Sequence, residues 1–182
     1  MSSLRAGRCV WFASVALVVA MFVVIFILTV QAPQESASLS LKVEQKLSPV
    51  DGMTANGSLW AAVKIFIRSV AAQLFAIANV RKWAHAGEFF ILGFFVATAA
   101  LTWPARRGGQ NGALARRFAV ALAVCAACSL FDQSHKLIVP GRHFDALDLV
   151  FDAMGYGLAL VLTFVPTAIF ARRRKRRGAH AA

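Results

Sequence analysis

Acidic residues are scarce in this sequence, and so are charged residues of any kind. Its 182 residues include 8 Asp and Glu against 20 Lys and Arg, and charged residues make up 15% of the chain. Basic nucleic-acid-binding domains carry their charge on a polar, water-exposed body, so a soluble protein of that class is excluded and no nucleic-acid partner is expected. The motifs GxGxxG, GxxxxGK, HExxH and GxSxG are absent, so no soluble catalytic core of those kinds is indicated.

Apolar residues, by contrast, account for 59% of the chain. Adding the 12 glycines raises the share to about 65%, above the 45–50% typical of soluble globular domains. This composition indicates a membrane protein. The apolar runs described below predict that it is all-α and polytopic, with four transmembrane helices and one amphipathic interfacial helix. Its predicted parts are an N-terminal end with the first helix (1–30), an extracytoplasmic loop with the amphipathic helix (31–80), a membrane core of helices two to four (81–170) and a basic tail (171–182).

The first apolar run covers residues 10–30 and contains no charged residue. Its 21 residues are enough to cross about 30 Å of hydrocarbon as a helix. A cleaved signal peptide is the alternative, because small residues follow the run near position 32. The apolar region of a signal peptide is only about 7–15 residues long, so a retained first span is favoured.

Residues 59–79 are also apolar but carry Lys64 and Arg68 on one helical face. Placing both cations at the centre of a bilayer would cost about 2.5–3.5 kcal/mol each. A helix that lies in the membrane interface avoids this cost, so this segment is the predicted amphipathic helix. The remaining spans are predicted at residues 83–103, 118–139 and 145–170.

Basic residues are distributed asymmetrically over the connecting segments. With a cytoplasmic N-terminus and four spans, the cytoplasmic side receives Arg5, Arg8, four arginines of the 104–117 loop and six basic residues of the tail, without an acidic residue. This follows the positive-inside rule. We therefore predict a multi-pass protein of a plasma membrane with both termini in the cytoplasm.

Polar residues gather at the opposite, outer ends of the predicted spans. Glu88 and Asp152 each lie about two helical turns inside a span, where carboxylates usually face a bundle interior and have a cationic partner. For Lys82, Asp132 and Asp145, which lie nearest the boundary, a solvated interfacial position is the alternative. The predicted ligand-binding residues are Lys82, His85, Glu88, Asp132, His135, Arg142, Asp148 and Asp152.

The same residues resemble the motifs of VanZ-like proteins. Residues 81–93, with Lys82-x-x-His85, look like the segment that opens the family's second helix. The family's second block resembles Asp132-Gln133-Ser134-His135-Lys136, Pro140-Gly141-Arg142 and Asp148-x-x-x-Asp152-x-x-Gly155. This chain departs from the family pattern at Gln133, where the family has Glu, at Lys136, where it has Gln, and at Ala159, where a glycine is expected.

The resemblance implies a polytopic protein of the bacterial envelope, in a family whose founding member is associated with resistance to the glycopeptide teicoplanin. We expect the polar residues to recognise a lipid-linked cell-wall precursor or a glycopeptide. The alternative is a membrane enzyme acting on a lipid-linked substrate, with His85, Glu88, His135 and Asp152 as candidate catalytic residues. A proton or solute pathway is a third, less favoured hypothesis.

Cofactors and metals are not predicted. His85-x-x-Glu88 is a single pair of ligating residues, and no second such pair accompanies it. The expected partners are membrane lipids and the lipid-linked or glycopeptide ligand, and the sequence leaves an oligomer open.

Overall fold

Five helices with defined bounds form the framework of the part of the chain that the structure describes. The computed structural model describes residues 2–30, 38, 41–43, 45, 59–104 and 113–179, and in these it contains no strand. The helices are α1 (Ser2–Val30), α2 (Leu59–Ile77), α3 (Val80–Thr102), α4 (Ala113–Lys136) and α5 (Ala146–Ala179). The predicted extracytoplasmic loop and the tip of the 104–117 loop fall largely outside the described residues.

Four of these helices are long and apolar enough to cross a membrane. The qualifying segments are Gly7–Val30, Val80–Thr102, Leu114–Lys136 and Ala146–Arg173. The prediction of an all-α, multi-pass membrane protein with four spans is therefore confirmed. Helix α5 continues beyond its apolar part, so that the basic residues from Arg172 to Arg177 extend the same helix.

The chain divides into two compact units, Met1–Val30 with His85–Ala182, and Gln31–Ala84. In the second unit, α2 exposes large apolar side chains such as Trp60 and Phe66. The Asn79 side chain accepts a hydrogen bond from the Lys82 backbone N–H (3.1 Å) and so caps the beginning of α3. The indole of Trp83 donates to the Leu74 carbonyl (2.9 Å), which fixes the turn between α2 and α3.

The core of the first unit is apolar and receives side chains from all four long helices. Phe89 and Leu92 of α3 are fully buried, as are Cys125 of α4 and Leu160 of α5, and Ile25 of α1 is 1% exposed. Many of the other core positions are alanines, whose small side chains let helices approach closely. The core therefore combines large apolar side chains with alanines at which the helices approach closely.

Helices α3 and α5 are in close contact at Gly155. A Cβ atom at this position would lie 2.1 Å from the carbonyl oxygen of Ala86, which is backbone and cannot move aside like a side-chain tip. A second close contact places Gly93 against Tyr156 and Ala159. Glycine is thus required at Gly155 by space, since the hydrogen atom is the only substituent that fits.

The end of α1 and the beginning of α3 lie at the same end of the bundle. Thr29, next to the end of α1, donates a hydrogen bond to Asp132 of α4, and His85, near the beginning of α3, lies 3.3 Å from Lys136 of α4. Asp132 and Lys136 are one helical turn apart. Within the first unit, residues 30 and 85 therefore lie at one end of the bundle, as an arrangement of four spans requires.

At the opposite end of the bundle, hydrogen bonds join the end of α3 to α4. The guanidinium of Arg117 donates hydrogen bonds to the carbonyl oxygens of Leu101 and Trp103. These carbonyls belong to the last turn of α3 and the residue after it, where no further helical N–H is available. Arg117 therefore stabilises the end of a span besides adding positive charge at that end.

Substitution of Gly155 by alanine is expected to lower the free energy of unfolding by about 1–3 kcal/mol, because the added methyl group forces α3 and α5 apart. Gly157→Ala is the matched control, since a Cβ at Gly157 meets nothing within 4 Å. It should leave stability unchanged or raise it by up to about 1 kcal/mol through helix propensity. Thermal unfolding of the detergent-solubilised protein measures both, and equal effects of the two substitutions would contradict this packing.

Candidate functional site

A group of five polar side chains is buried where α3, α4 and α5 meet. We call it the polar cluster; it comprises His85 of α3, Asp132 and Lys136 of α4, and Asp148 and Asp152 of α5. None of the five residues is more than 6% exposed. The two residues contributed by α4 are four positions apart, as are the two from α5, so each pair lies on one face of its helix. The structure therefore brings together three polar helix faces at one end of the apolar bundle.

Lys136 connects the three helices. Its ammonium Nζ lies 2.9 Å from Asp148 Oδ2 and 3.3 Å from Asp132 Oδ2, and the side chain is fully buried. The same Nζ is 3.3 Å from His85 Nε2. A buried ammonium is costly unless it is paired with carboxylates. Lys136 and the two aspartates therefore form a mutually compensating set of ion pairs in this position.

His85 has carboxylates on both sides of its ring. Nδ1 lies 3.6 Å from Asp152 Oδ1 and 3.9 Å from Glu88 Oε2, whereas Nε2 lies 3.7 Å from Asp148 Oδ2. Glu88 is one turn after His85 on α3, and its side chain is 21% exposed. It therefore lies at the edge of the polar cluster, where the cluster approaches the outside of the bundle.

Two of the three carboxylates in the polar cluster accept hydrogen bonds from hydroxyl groups. Thr29 of α1 donates to Asp132 Oδ1 (2.5 Å), and Ser129 of α4 donates to Asp152 Oδ2 (2.7 Å). Each hydroxyl engages one oxygen of its aspartate, and the second oxygen faces the other members of the cluster. Oδ2 of Asp132 lies beside Lys136, and Oδ1 of Asp152 lies beside His85.

Three of these groups are arranged so that they could hold a metal ion. His85, Asp132 and Asp152 each offer one donor atom, and the three atoms lie within 4.8 Å of one another. The expectation that no metal is bound depended on the spacing of His85 and Glu88 within one helix. The three donors come from three different helices, which spacing along the chain does not reveal.

The other predicted site residues lie around the polar cluster or outside it. The His135 ring packs on Phe26 of α1, with ring centroids 4.4 Å apart. Arg142 is buried and donates to the carbonyl of Leu28 (3.4 Å) at the end of α1. Lys82 lies in the second unit, on the first turn of α3.

Two residues predicted to lie near the membrane boundary take different positions. Asp132 is 3% exposed, so a solvated location does not describe it. Asp145 precedes α5, and its side chain accepts a hydrogen bond from the backbone N–H of Leu147 (2.8 Å). Asp145 therefore acts as the N-terminal cap of the helix that carries Asp148 and Asp152.

The predicted ligand-binding residues do not include Lys136, although it lies among the polar residues at the outer end of the third span, and sequence reasoning missed Ser129 and Thr29 as supports of the site. Lys136 and Ser129 had a usable signal, because both share a helical face with Asp132 at spacings of four and three residues. Thr29 had no such signal, since it is one polar residue near the end of an apolar span.

Comparison with known proteins identifies one family. A family model described as VanZ/LLP1 matches residues 13–170, which include nearly all of the four apolar helices and the whole polar cluster. No curated protein and no solved structure matches the chain.

Replacement of Lys136 by methionine is expected to lower the free energy of unfolding by about 3–5 kcal/mol, because two buried carboxylates lose their cation. Adding Asp148→Asn to Lys136→Met should cost less than the sum of the two single changes. Chemical unfolding in detergent micelles measures this coupling, and Lys64→Met on exposed α2 serves as the control that leaves stability unchanged. Strictly additive effects would show that Lys136 and Asp148 do not interact.

Proposed function

The chain belongs to the VanZ/LLP1 family, and from this premise we propose that it is a plasma-membrane protein whose polar cluster recognises an envelope ligand. The ligand is a lipid-linked cell-wall precursor or a glycopeptide such as teicoplanin. Binding of this kind contributes to glycopeptide resistance because the bound precursor or glycopeptide is held by the protein at the membrane surface.

The observation that carries this proposal is the burial of charge in an apolar bundle. Asp152 and Lys136 are completely buried, and Asp132 and Asp148 are 3% and 4% exposed. Replacing a buried ion pair by apolar residues of similar volume is often neutral or stabilising. Such a cluster therefore adds little to the stability of the fold, and charged groups within membrane spans usually belong to a functional site.

The proposed orientation places the polar cluster near the outer leaflet. The cluster is formed by the end of α4 and the beginning of α5, whereas Arg117 and the basic end of α5 lie at the other ends of these helices. Basic segments that flank spans remain in the cytoplasm. The cluster then faces the side on which cell-wall precursors are used and on which glycopeptides arrive.

A second candidate function is catalysis on a lipid-linked substrate. It is favoured by the position of His85, whose ring has Asp152 and Glu88 near Nδ1 and Asp148 near Nε2. An imidazole oriented by a carboxylate at one nitrogen can exchange a proton with a substrate at the other. Glu88 and Asp152 then act as positioning groups for the ring.

A polar pathway across the membrane is not supported by a comparable observation. From Ser129 toward the beginning of α4, and from Asp152 toward the end of α5, the buried side chains that the structure describes are apolar. The same holds for α3 after His85. A continuous route for protons or solutes would need polar groups along that length.

Ligand binding is tested with purified protein in lipid nanodiscs and two probes, teicoplanin and an undecaprenyl-pyrophosphate-linked disaccharide pentapeptide. We expect Asp148→Asn to weaken binding of the recognised probe by about tenfold or more, because charge-assisted contacts contribute about 1.5–3 kcal/mol. Asp145→Asn is the matched control: asparagine caps a helix as well as aspartate, so binding should be unchanged. Absence of binding to both probes would refute the proposed recognition.

The same material separates binding from catalysis. Mass spectrometry is used to look for a product formed from the probe by the unaltered protein. If His85→Gln abolishes that product but leaves probe affinity unchanged, the catalytic function is correct. If neither protein yields a product and His85→Gln binds more weakly, the binding function is correct.

The orientation is tested by labelling single cysteines from outside intact cells in a chain whose own cysteines, Cys9, Cys125 and Cys128, have been replaced. Asp51→Cys should react with a membrane-impermeant maleimide, because it lies between the first two spans. Gln110→Cys should react only after the cells are permeabilised. The reverse pattern would place the polar cluster at the inner leaflet and refute the proposed site of action.

A further inference from the structure

We propose that His85, Asp132 and Asp152 bind one divalent metal ion of the first transition series, with Mn²⁺ and Zn²⁺ as the ions of suitable chemistry. The proposed ion site is argued from the positions of its three donor groups. Only the idea that the ion contacts an envelope ligand rests on the proposed function.

The donor atoms are already gathered around one point. A histidine nitrogen and two carboxylate oxygens lie within 4.8 Å of one another. Donors that share an ion at bond lengths of about 2.0–2.2 Å lie at most about 4.4 Å apart. In tetrahedral coordination the donors lie closer still, about 3.3–3.6 Å apart, so side-chain rotations that move the donor atoms by up to about 1 Å bring all three onto a single ion.

The surroundings of the two aspartates resemble the support that metal ligands receive in proteins. Thr29 holds Asp132 Oδ1, and Ser129 holds Asp152 Oδ2, which leaves one oxygen of each carboxylate directed into the polar cluster. Asp152 Oδ1 is buried and makes no hydrogen bond within the described residues. Groups that bind the outer oxygen of a carboxylate fix its orientation toward an ion.

Charge also favours a cation at this point. Asp132, Asp148 and Asp152 bring three carboxylates into the polar cluster, whereas the Lys136 ammonium forms ion pairs with Asp148 (2.9 Å) and Asp132 (3.3 Å). Lys136 lies closer to Asp148 than to Asp132, so we assign Asp132 and Asp152 to the ion while Lys136 remains paired with Asp148. A divalent cation between these two offsets negative charge that is otherwise costly to bury.

The mixed donor set narrows the choice of ion. Mg²⁺ and Ca²⁺ prefer oxygen ligands alone, whereas imidazole combined with carboxylates suits Mn²⁺ and Zn²⁺. Three protein donors leave at least one coordination position open. An open position on a cation is where the phosphate or carboxylate of an envelope ligand binds, and this gives the net acidic cluster a means to recognise an anionic headgroup.

Metal binding is measured directly on the full-length protein, purified in detergent and stripped with EDTA. MnCl₂ is added while electron paramagnetic resonance records free Mn²⁺, and ZnCl₂ is then used as a competitor. We expect one Mn²⁺ per chain, displaced by Zn²⁺ and far less by MgCl₂. Asp152→Asn and His85→Gln should each weaken Mn²⁺ binding by about tenfold or more, and Ser129→Ala by about tenfold through loss of carboxylate orientation.

Matched controls keep the result interpretable. Asp145→Asn and His143→Gln change the same residue types outside the three donors and should bind Mn²⁺ like the unaltered chain. Thermal unfolding reports folding of each variant, and Mn²⁺ should raise the melting temperature of the unaltered protein but not of Asp152→Asn. No saturable Mn²⁺ or Zn²⁺ binding, or equal binding by Asp152→Asn and the unaltered protein, would overturn the proposal.

The outcomes for the ion and for the ligand are separable. Mn²⁺ binding without binding of teicoplanin or the lipid-linked pentapeptide supports the ion site and refutes the proposed function. Binding of either probe that persists unchanged in EDTA, in a protein that takes up no Mn²⁺, supports the function and overturns the ion site.

Discussion

The buried ammonium of Lys136 is the interaction on which the arrangement of the helices most depends. It belongs to α4 but contacts Asp148 of α5 and lies beside His85 of α3. In an apolar bundle these charges have no water to compensate them, so each is retained only while the others stay in place. The ion pairs thereby constrain how α4 and α5 are rotated about their own axes.

Close packing of small residues makes this contact geometry possible. Gly155 lets α5 approach the backbone of α3 at Ala86, one position after His85. One helical turn earlier on α5, Asp152 Oδ1 comes within 3.6 Å of the imidazole. Separating the two helices by the width of a methyl group would lengthen that distance beyond any direct interaction. Gly155 therefore allows the close helix contact that brings the Asp152 carboxylate to the His85 imidazole.

The fold could be read from the sequence more fully than the site could. Long apolar runs define spans whatever their neighbours, and the four spans and the placement of Asp148 and Asp152 on one helical face followed from spacing alone. The roles of His135 and Lys136 did not follow. The two lie about 60° and 40° to either side of Asp132 on a helix, so both are compatible with the same polar face. Contact with Phe26 turns His135 toward α1, and this contact exists only after the helices have packed.

The contacts at the end of α1 make this helix a structural support of the polar cluster as well as a membrane anchor. An apolar N-terminal helix is usually interchangeable with any other membrane anchor of the same length. Here Thr29 supplies a hydrogen bond to Asp132, and the carbonyl of Leu28 accepts one from Arg142. In a chimaera, the first helix therefore has to be transferred together with α3, α4 and α5. A foreign anchor would restore membrane attachment and leave one carboxylate of the polar cluster without its hydroxyl.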